Sequence, residues 1–288
     1  MNKHPTLNTI TVVLGLVGLV KAAYLLWARP YQLRWGATDE EVQRPMPGDE
    51  LISNPKYLAT RAITIEATPE EIWPWLVQMG YKRAGFYGYD IIENLGSPHG
   101  IHSAKSILPE LQHPKVGDEV PISPAGGLTF YAIEPNRYLI WRGGVGWGGY
   151  TWALYPVDEN RTRLVNRARF NHTWSKPGQL ALDLLTEFAE HLAIPKILQA
   201  VKGRAEGHIE PMAQANTEVA IYLMSAFTYL GSVVLILLRP LTWRRGLAGL
   251  AAGAAWLIAW YAPVTIWVKA ILEFPVIWWL REAFHEHI

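Results

Sequence analysis

The stretch Gly85–Leu95, GFYGYDIIENL, concentrates polar and aromatic groups in a short space. Tyr87, Tyr89, Asp90, Glu93 and Asn94 could line the mouth of a binding cavity, and the glycines would let such a loop move over a ligand. The same residues have a structural alternative, in which Asp90 and Asn94 cap short helices and the tyrosines pack. A second set lies on two expected strands. Arg142 shares a strand face with Tyr138 and Ile140, and Trp152 shares one with Tyr150 and Leu154. Turned inward, Arg142 would be a buried cation able to hold a carboxylate, phenolate or phosphate, with Tyr150 and Trp152 as flat apolar wall. A slip of one residue exchanges every such assignment, so Arg142 outside and aromatics in the core stays open. Leu184 and Phe188, from the apolar stripe of a long helix, complete the candidate ligand-binding residues.

Other groups carry less chemistry. His99 and His102 are three apart in a glycine-containing loop with no carboxylate cluster, which reads as ordinary loop. In TEFAEHLA, Glu187 and His191 stand at i, i+4 and read as a surface pair. His285-Glu286-His287 reads as an exposed tail. The glycines of Gly143–Gly149 precede a strand and not a helix, so they are no phosphate cradle. There is no nucleophile elbow, phosphate loop, dinucleotide fingerprint or metal-ligand set. No catalytic residue, metal or cofactor is expected from these patterns.

The elements that must hold these groups follow from periodicity. TRAITIEA (Thr60–Ala67) alternates as a strand, with Ala62, Thr64 and Glu66 on one face and Ile63 and Ile65 on the other. Thr68-Pro69-Glu70-Glu71 starts a helix: an N-cap hydroxyl, proline at the first position and acids in the first turn. That helix turns Ile72, Leu76 and Met79 to a core, and Gly80 can end it. Short helices are expected around Tyr89–Leu95 and Ala104–Leu111. Strands follow at about Glu119–Ile122, Leu128–Glu134, Tyr138–Arg142, Gly149–Pro156 and Arg161–Asn171, with EPNR and DENR as turns. On the last strand Arg163, Arg167 and Arg169 alternate with Leu164, Ala168 and Phe170, which predicts one wet and one apolar face. A long helix from about Pro177 to His208 presents Leu180, Leu184, Leu185, Phe188, Leu192 and Ile197 as its stripe. The whole predicts an α+β helix-grip fold, a curved antiparallel sheet around one long helix, with room between them for an apolar molecule.

Composition sets the class. The chain has 288 residues, half of them apolar, no cysteine and a formal net charge of +1. Disulfides and thiolate chemistry are excluded, and no basic surface points to nucleic acid. Charges crowd between Arg29 and Glu210 and nearly vanish after Thr217. A membrane span needs roughly 20 apolar residues. Val219–Leu238 and Gly246–Val268 satisfy this, and LNTITVVLGLVGLV supplies a third segment, interrupted at Lys21. The last of these reads as an uncleaved anchor, with a cleaved signal peptide as its rival. About three transmembrane helices are therefore expected. Gly249 and Gly253 form a G-x-x-x-G match that would let another helix approach, whether within the chain or in a homo-oligomer. Residues 270–288 read as an interfacial segment. The division is an anchor over 1–28, a linker over 29–59, a ligand-binding domain over 60–210, and spans over 218–238 and 246–268. Arg239, Arg244 and Arg245 between the last spans favour that loop inside a bacterial cytoplasmic membrane and the domain outside it, whereas Arg29 and Arg34 argue the reverse.

Taken in order, ATRAITIEATPEEIWPWLVQMG, GFYGYDIIENL, KVGDEV, EPNRYLIWR, GYTWAL and TRLVNRAR resemble the bacterial START-like (SRPBCC) superfamily of polyketide cyclases and lipid-transfer domains. With LRWGATDEEV and RPMPGDEL after an N-terminal anchor, the chain is similar to a membrane-anchored branch. The resemblance spans roughly Leu33–Glu206. It implies the helix-grip fold and a ligand cavity, without assigning a reaction. The expectation is a membrane-anchored binder of an apolar small molecule: a lipid, isoprenoid, quinone or polyketide-like compound. The alternatives are a cyclase or dehydratase on the same cavity, and a membrane-tethered protein-interaction module.

Overall fold

The computed structural model describes residues 11, 14–15, 18–19, 21–94, 102–123, 126–144, 146–171, 177–238, 242–262 and 264–285, without the side chains of 177–185 and 283–285. His99 and most of the first apolar segment lie outside these residues. The chain divides into two compact units. One is Gln32–Ala215; the other joins Met1–Tyr31 to Asn216–Ile288.

In the first unit six strands form one antiparallel sheet in the order β1-β6-β5-β4-β3-β2. They are β1 (Tyr57–Ile65), β2 (Glu119–Ser123), β3 (Gly126–Glu134), β4 (Tyr138–Arg142), β5 (Gly148–Pro156) and β6 (Thr162–Phe170). The helices, in chain order, begin with α1 (Arg29–Leu33), α2 (Asp39–Gln43), α3 (Pro69–Val77), α4 (Asp90–Glu93) and the long α5 (Pro177–Ala205). The sheet and α5 make the expected helix-grip arrangement. Its core joins Ile72, Leu76 and Met79 of the α3 region, Leu139, Trp141, Trp152 and Leu164 of the sheet, and Ile194, Leu198 and Val201 of α5. Each of these side chains is buried, and such burial contributes roughly 25 cal/mol per Å² of apolar surface.

Two helix starts use one device. Thr68 accepts from the Glu71 amide while the Glu71 carboxylate accepts from the Thr68 amide, and Thr38 and Glu41 repeat this at α2. Each capping box satisfies amides that the first helical turn leaves without partners.

The stretch 29–59 is not a linker in the structure. From Gln32 onward it folds over the edge of β1 and onto one sheet face. Ala62 donates its amide to the Trp35 carbonyl, closing part of an edge that would otherwise stand open. Gly36, at φ +67, sits against the Ala62 carbonyl where a Cβ would collide. Beyond it the chain meets the arginines of β6, so the face expected to be wet is covered. Arg163 forks onto the Glu41 carboxylate at 2.7 and 3.0 Å. Arg167 is almost fully buried: it bonds Thr60, Asp49 and the carbonyls of Glu41, Val42 and Arg44. Arg169 reaches Asp49 and the carbonyls of Ile52 and Ser53. Alternation placed these arginines correctly on one face; it carried no information about what lies over that face.

The second unit departs from the expected three spans. Among the described residues, one helix is long and apolar enough to cross a membrane: α6 (Met212–Leu238), of 27 residues. The stretch 246–268 is not one helix. It divides into α7 (Trp243–Tyr261), which ends at an extended Ala262, and α8 (Ile266–His285). Residues 270–285 thus belong to a helix that starts upstream of them. Ala248 and Ala252 on α7 pack with Leu280 of α8, and Gly249 and Gly253 are buried on α7 as well. The chain's own α8 therefore occupies a small-residue seam of the kind that brings helices close.

Candidate functional site

The strand pairings order the inner sheet face, which packs against α5, into rows. Arg61, Asn166, Trp152 and Leu139 are successive cross-strand partners and form one row. Below it run Ala59, Ala168, Tyr150, Trp141 and Phe130. Above it lie Ile63, Leu164 and Leu154. A row containing arginine and asparagine therefore crosses the centre of an otherwise apolar face.

Arg61 is fully buried. Its Nε donates to the Gln32 carbonyl at 2.8 Å, its Nη2 to the Tyr57 hydroxyl at 2.9 Å, and its Nη1 meets the Glu190 carboxylate at 3.5 Å. The Tyr150 hydroxyl donates to the other oxygen of Glu190. Burial disfavours the Arg61 charge, but Tyr57 and Glu190 hold its pKa above the ordinary value. Burial, reinforced by Glu190, pushes the Tyr150 phenol well up; burial likewise raises Tyr57. Both phenols stay neutral, Tyr150 as a donor to Glu190 and Tyr57 as an acceptor from Arg61.

On α5, Glu187, Glu190 and His191 are all buried. The reading of Glu187 and His191 as a surface pair is thus corrected. Glu187 is three residues after Leu184 and His191 three after Phe188, both members of the apolar stripe, so helical spacing already pointed them inward. Arg61 and Asn166 carried the same signal. Arg61 shares strand parity with Ile63 and Ile65, and Asn166 with Leu164 and Ala168. Sequence reasoning named the apolar members of these faces and passed over the polar ones.

Trp141 and Trp152 stand 5.4 Å apart between ring centroids, and Trp141 also meets Phe86, Phe130 and Tyr150 edge-on. Both indoles are buried to 2% exposure or less, and among the described residues neither Nε1 has a hydrogen-bond partner. Asn166 donates weakly to the Thr151 carbonyl at 3.4 Å, and its Oδ1 is buried with no partner either. Native interiors pair nearly all such atoms, so three around one row call for an explanation.

The expected site residues separate into groups. Tyr150 and Trp152 lie on the inner face beside Glu190. Phe188 is half-buried on α5, and the Leu184 side chain lies outside the described residues. Arg142 is on the opposite face, exposed, with its guanidinium 4.6 Å from the Tyr131 ring centre; it does not enter the interior. The register pairs it with Thr129 and Gly149, which settles the strand-face alternative against an inward Arg142.

Tyr87, Tyr89, Asp90 and Glu93 form a bonded loop beside the C-terminal half of α5. Tyr87, at φ +66, is buried; its hydroxyl donates to the Trp75 carbonyl and accepts from Gln78, and the Arg204 guanidinium lies over its ring. The Lys196 ammonium lies 5.3 Å from the centre of the buried Tyr89 ring. Asp90 accepts from the Ser103 amide and hydroxyl, with His102 at 3.6 Å. Glu93 accepts from the Phe86 amide at 3.0 Å. Burial pushes the Glu93 carboxyl up to about 7, against the lowering effect of that amide and with Asp90 adding to the rise. Among the described residues no three acids or histidines form a metal-binding group.

No family model and no curated protein matches the chain. Solved structures do. The polyketide-cyclase-like protein Cgl2372 of Corynebacterium glutamicum is 17% identical over 52% of this chain and 91% of its own length, with a TM-score of 0.34. Protein MLL2253 of Mesorhizobium loti is 16% identical over 52% of this chain and 98% of its own, at 0.31. A START superfamily protein of Mycobacterium smegmatis is 18% identical over 52% of this chain and 97% of its own, at 0.27.

Proposed function

We propose that the Gln32–Ala215 unit binds an apolar small molecule between its sheet and α5, and that the second unit holds it at a membrane. The observation that supports binding is the buried polar row on the inner face. A buried ion pair such as Arg61–Glu190 contributes little net stability, and apolar replacements of similar volume are often as stable or more so. Its position among Tyr57, Tyr150 and the two indoles suits orientation of a ligand whose bulk is held by aromatic wall.

Membrane attachment is supported by α6. At 1.5 Å per residue its 27 residues span about 40 Å, against a hydrocarbon core of roughly 30 Å. Leu223, Phe227, Leu230, Val234 and Leu238 are exposed along it, which suits a helix solvated by lipid. Tethering would keep the binding unit at high effective concentration beside the bilayer that dissolves its ligand.

The test is mass spectrometry of organic extracts of the full chain purified from its native host, alongside Trp152→Ala. One apolar species enriched over bulk lipid in the wild type and depleted in the variant is the expected result. Identical extracts would sink the binding reading.

A further inference from the structure

Resting on that reading, we infer that the head of the ligand is a neutral carbonyl oxygen, as in a ketone, ester or quinone, received by the indole N–H groups of Trp141 and Trp152. An indole N–H can only donate, so each requires an acceptor. The two are diagonal neighbours on β4 and β5, with ring centroids 5.4 Å apart, and neither has an acceptor among the described residues. Asn166, directly across from Trp152 on β6, adds a buried acceptor, Oδ1, that has no partner among the described residues. The set therefore offers two donors and one acceptor, which matches a carbonyl with a hydroxyl nearby.

The charges around the row argue against an acid. Arg61 is the row's cation, and it already bonds Gln32, Tyr57 and Glu190. Glu187, Glu190 and His191 are all buried on the facing helix. A carboxylate entering here would meet two acids and one engaged guanidinium. A neutral carbonyl needs no counter-charge and gains hydrogen bonds that the indoles otherwise lack. Leaving such donors without acceptors is what gives a site discrimination against analogues lacking the oxygen.

The experiment compares three probes of matched chain length, undecyl methyl ketone, tridecane and laurate, on the full chain in lipid nanodiscs, with empty nanodiscs as reference. Isotope-labelled indole N–H resonances are the readout. The ketone should move two of them downfield and bind roughly tenfold tighter than tridecane, the increment of two hydrogen bonds of ordinary strength. Laurate should bind more weakly than the ketone. Trp152→Phe, which keeps a ring and removes the N–H, should remove one shifted resonance and most of the ketone preference while leaving tridecane unchanged. If tridecane binds but the ketone moves neither resonance, or laurate binds as well as the ketone, the head-group assignment is overturned and apolar binding stands. If no probe binds, both readings fall. The wild-type resonances carry the test even where the variant does not fold.

Discussion

Arg167 and Arg61 are both buried in the same unit, on opposite faces of one sheet, and their surroundings differ in kind. On the outer face, Arg167 bonds two side chains of acceptor type and three backbone carbonyls, drawing in its Nε and both Nη groups. Its neighbours Arg163 and Arg169 are held as completely. These bonds fasten Gln32–Ser53 to the sheet. On the inner face, Arg61 shares its row with an amide oxygen and an indole N–H that the described residues leave without partners. Saturated polar contacts are what a structural clamp requires; unsaturated ones in a packed interior are what a ligand can complete. Under the proposed binding function, the outer face holds the fold together and the inner face receives the ligand.

The comparison would break most visibly at Arg167. Arg167→Met takes from Asp49 one of its two arginine partners and leaves three carbonyls without their donor, and a loss of about 3–5 kcal/mol is expected, read as a lowered unfolding midpoint in denaturant. A loss below about 1 kcal/mol would mean that the outer clamp is not structural.

Glu93 tests a third environment, a buried acid held by backbone amides. Its pKa of about 7 lies above the ordinary 4.5, so between those values the folded protein binds more protons than the unfolded chain. Stability should therefore fall as pH rises from about 4.5 to 7, by about 2–3 kcal/mol in all, and Glu93→Gln should flatten that dependence. Asp90 and Arg204 are the charged groups that act on Glu93 from its surroundings, the first raising and the second lowering its pKa. A slope unchanged in the variant would assign the pH dependence elsewhere.

The double variant Arg61→Met with Glu190→Met sharpens the contrast. Removing both partners of the inner pair should change stability by no more than about 1–2 kcal/mol, in either direction, while ligand enrichment is lost. Destabilisation matching that of Arg167→Met would make the inner pair structural and erase the distinction between the faces. Arg142→Ala should do least. The side chain is exposed and touches the Tyr131 ring, so a change within about 0.5 kcal/mol and unaltered ligand recovery are expected in the same assays. Lost binding there would put the site on the wrong face.

Much of this arrangement was legible in the chain. Two-residue alternation located all six strands within a few residues, because side chains must alternate between faces whatever covers them. Thr68-Pro69-Glu70-Glu71 announced α3 through local hydrogen bonds, and the apolar stripe of α5 announced the helix that the sheet grips. The order of these elements was enough for the helix-grip fold. Parity alone put Trp152 and Tyr150 on one face; it left the side taken by Arg142 open, and the structure puts that side chain outside.

What covers each face was decided only in three dimensions. Alternation says that Arg163, Arg167 and Arg169 point the same way; it takes Glu41, Asp49 and a run of carbonyls more than 100 residues upstream to make that direction an interior. Arg61 and Glu190 are 129 residues apart and meet only because β1 lies at the sheet edge that α5 crosses. The apolar stretch 246–268 reads as one span by composition, yet its helix ends at an extended Ala262 and the helices on either side pack on each other. Local periodicity is a property of neighbouring residues and can be read from them. The partners of a buried charge are chosen by the topology of the whole chain, and no window along the sequence contains them.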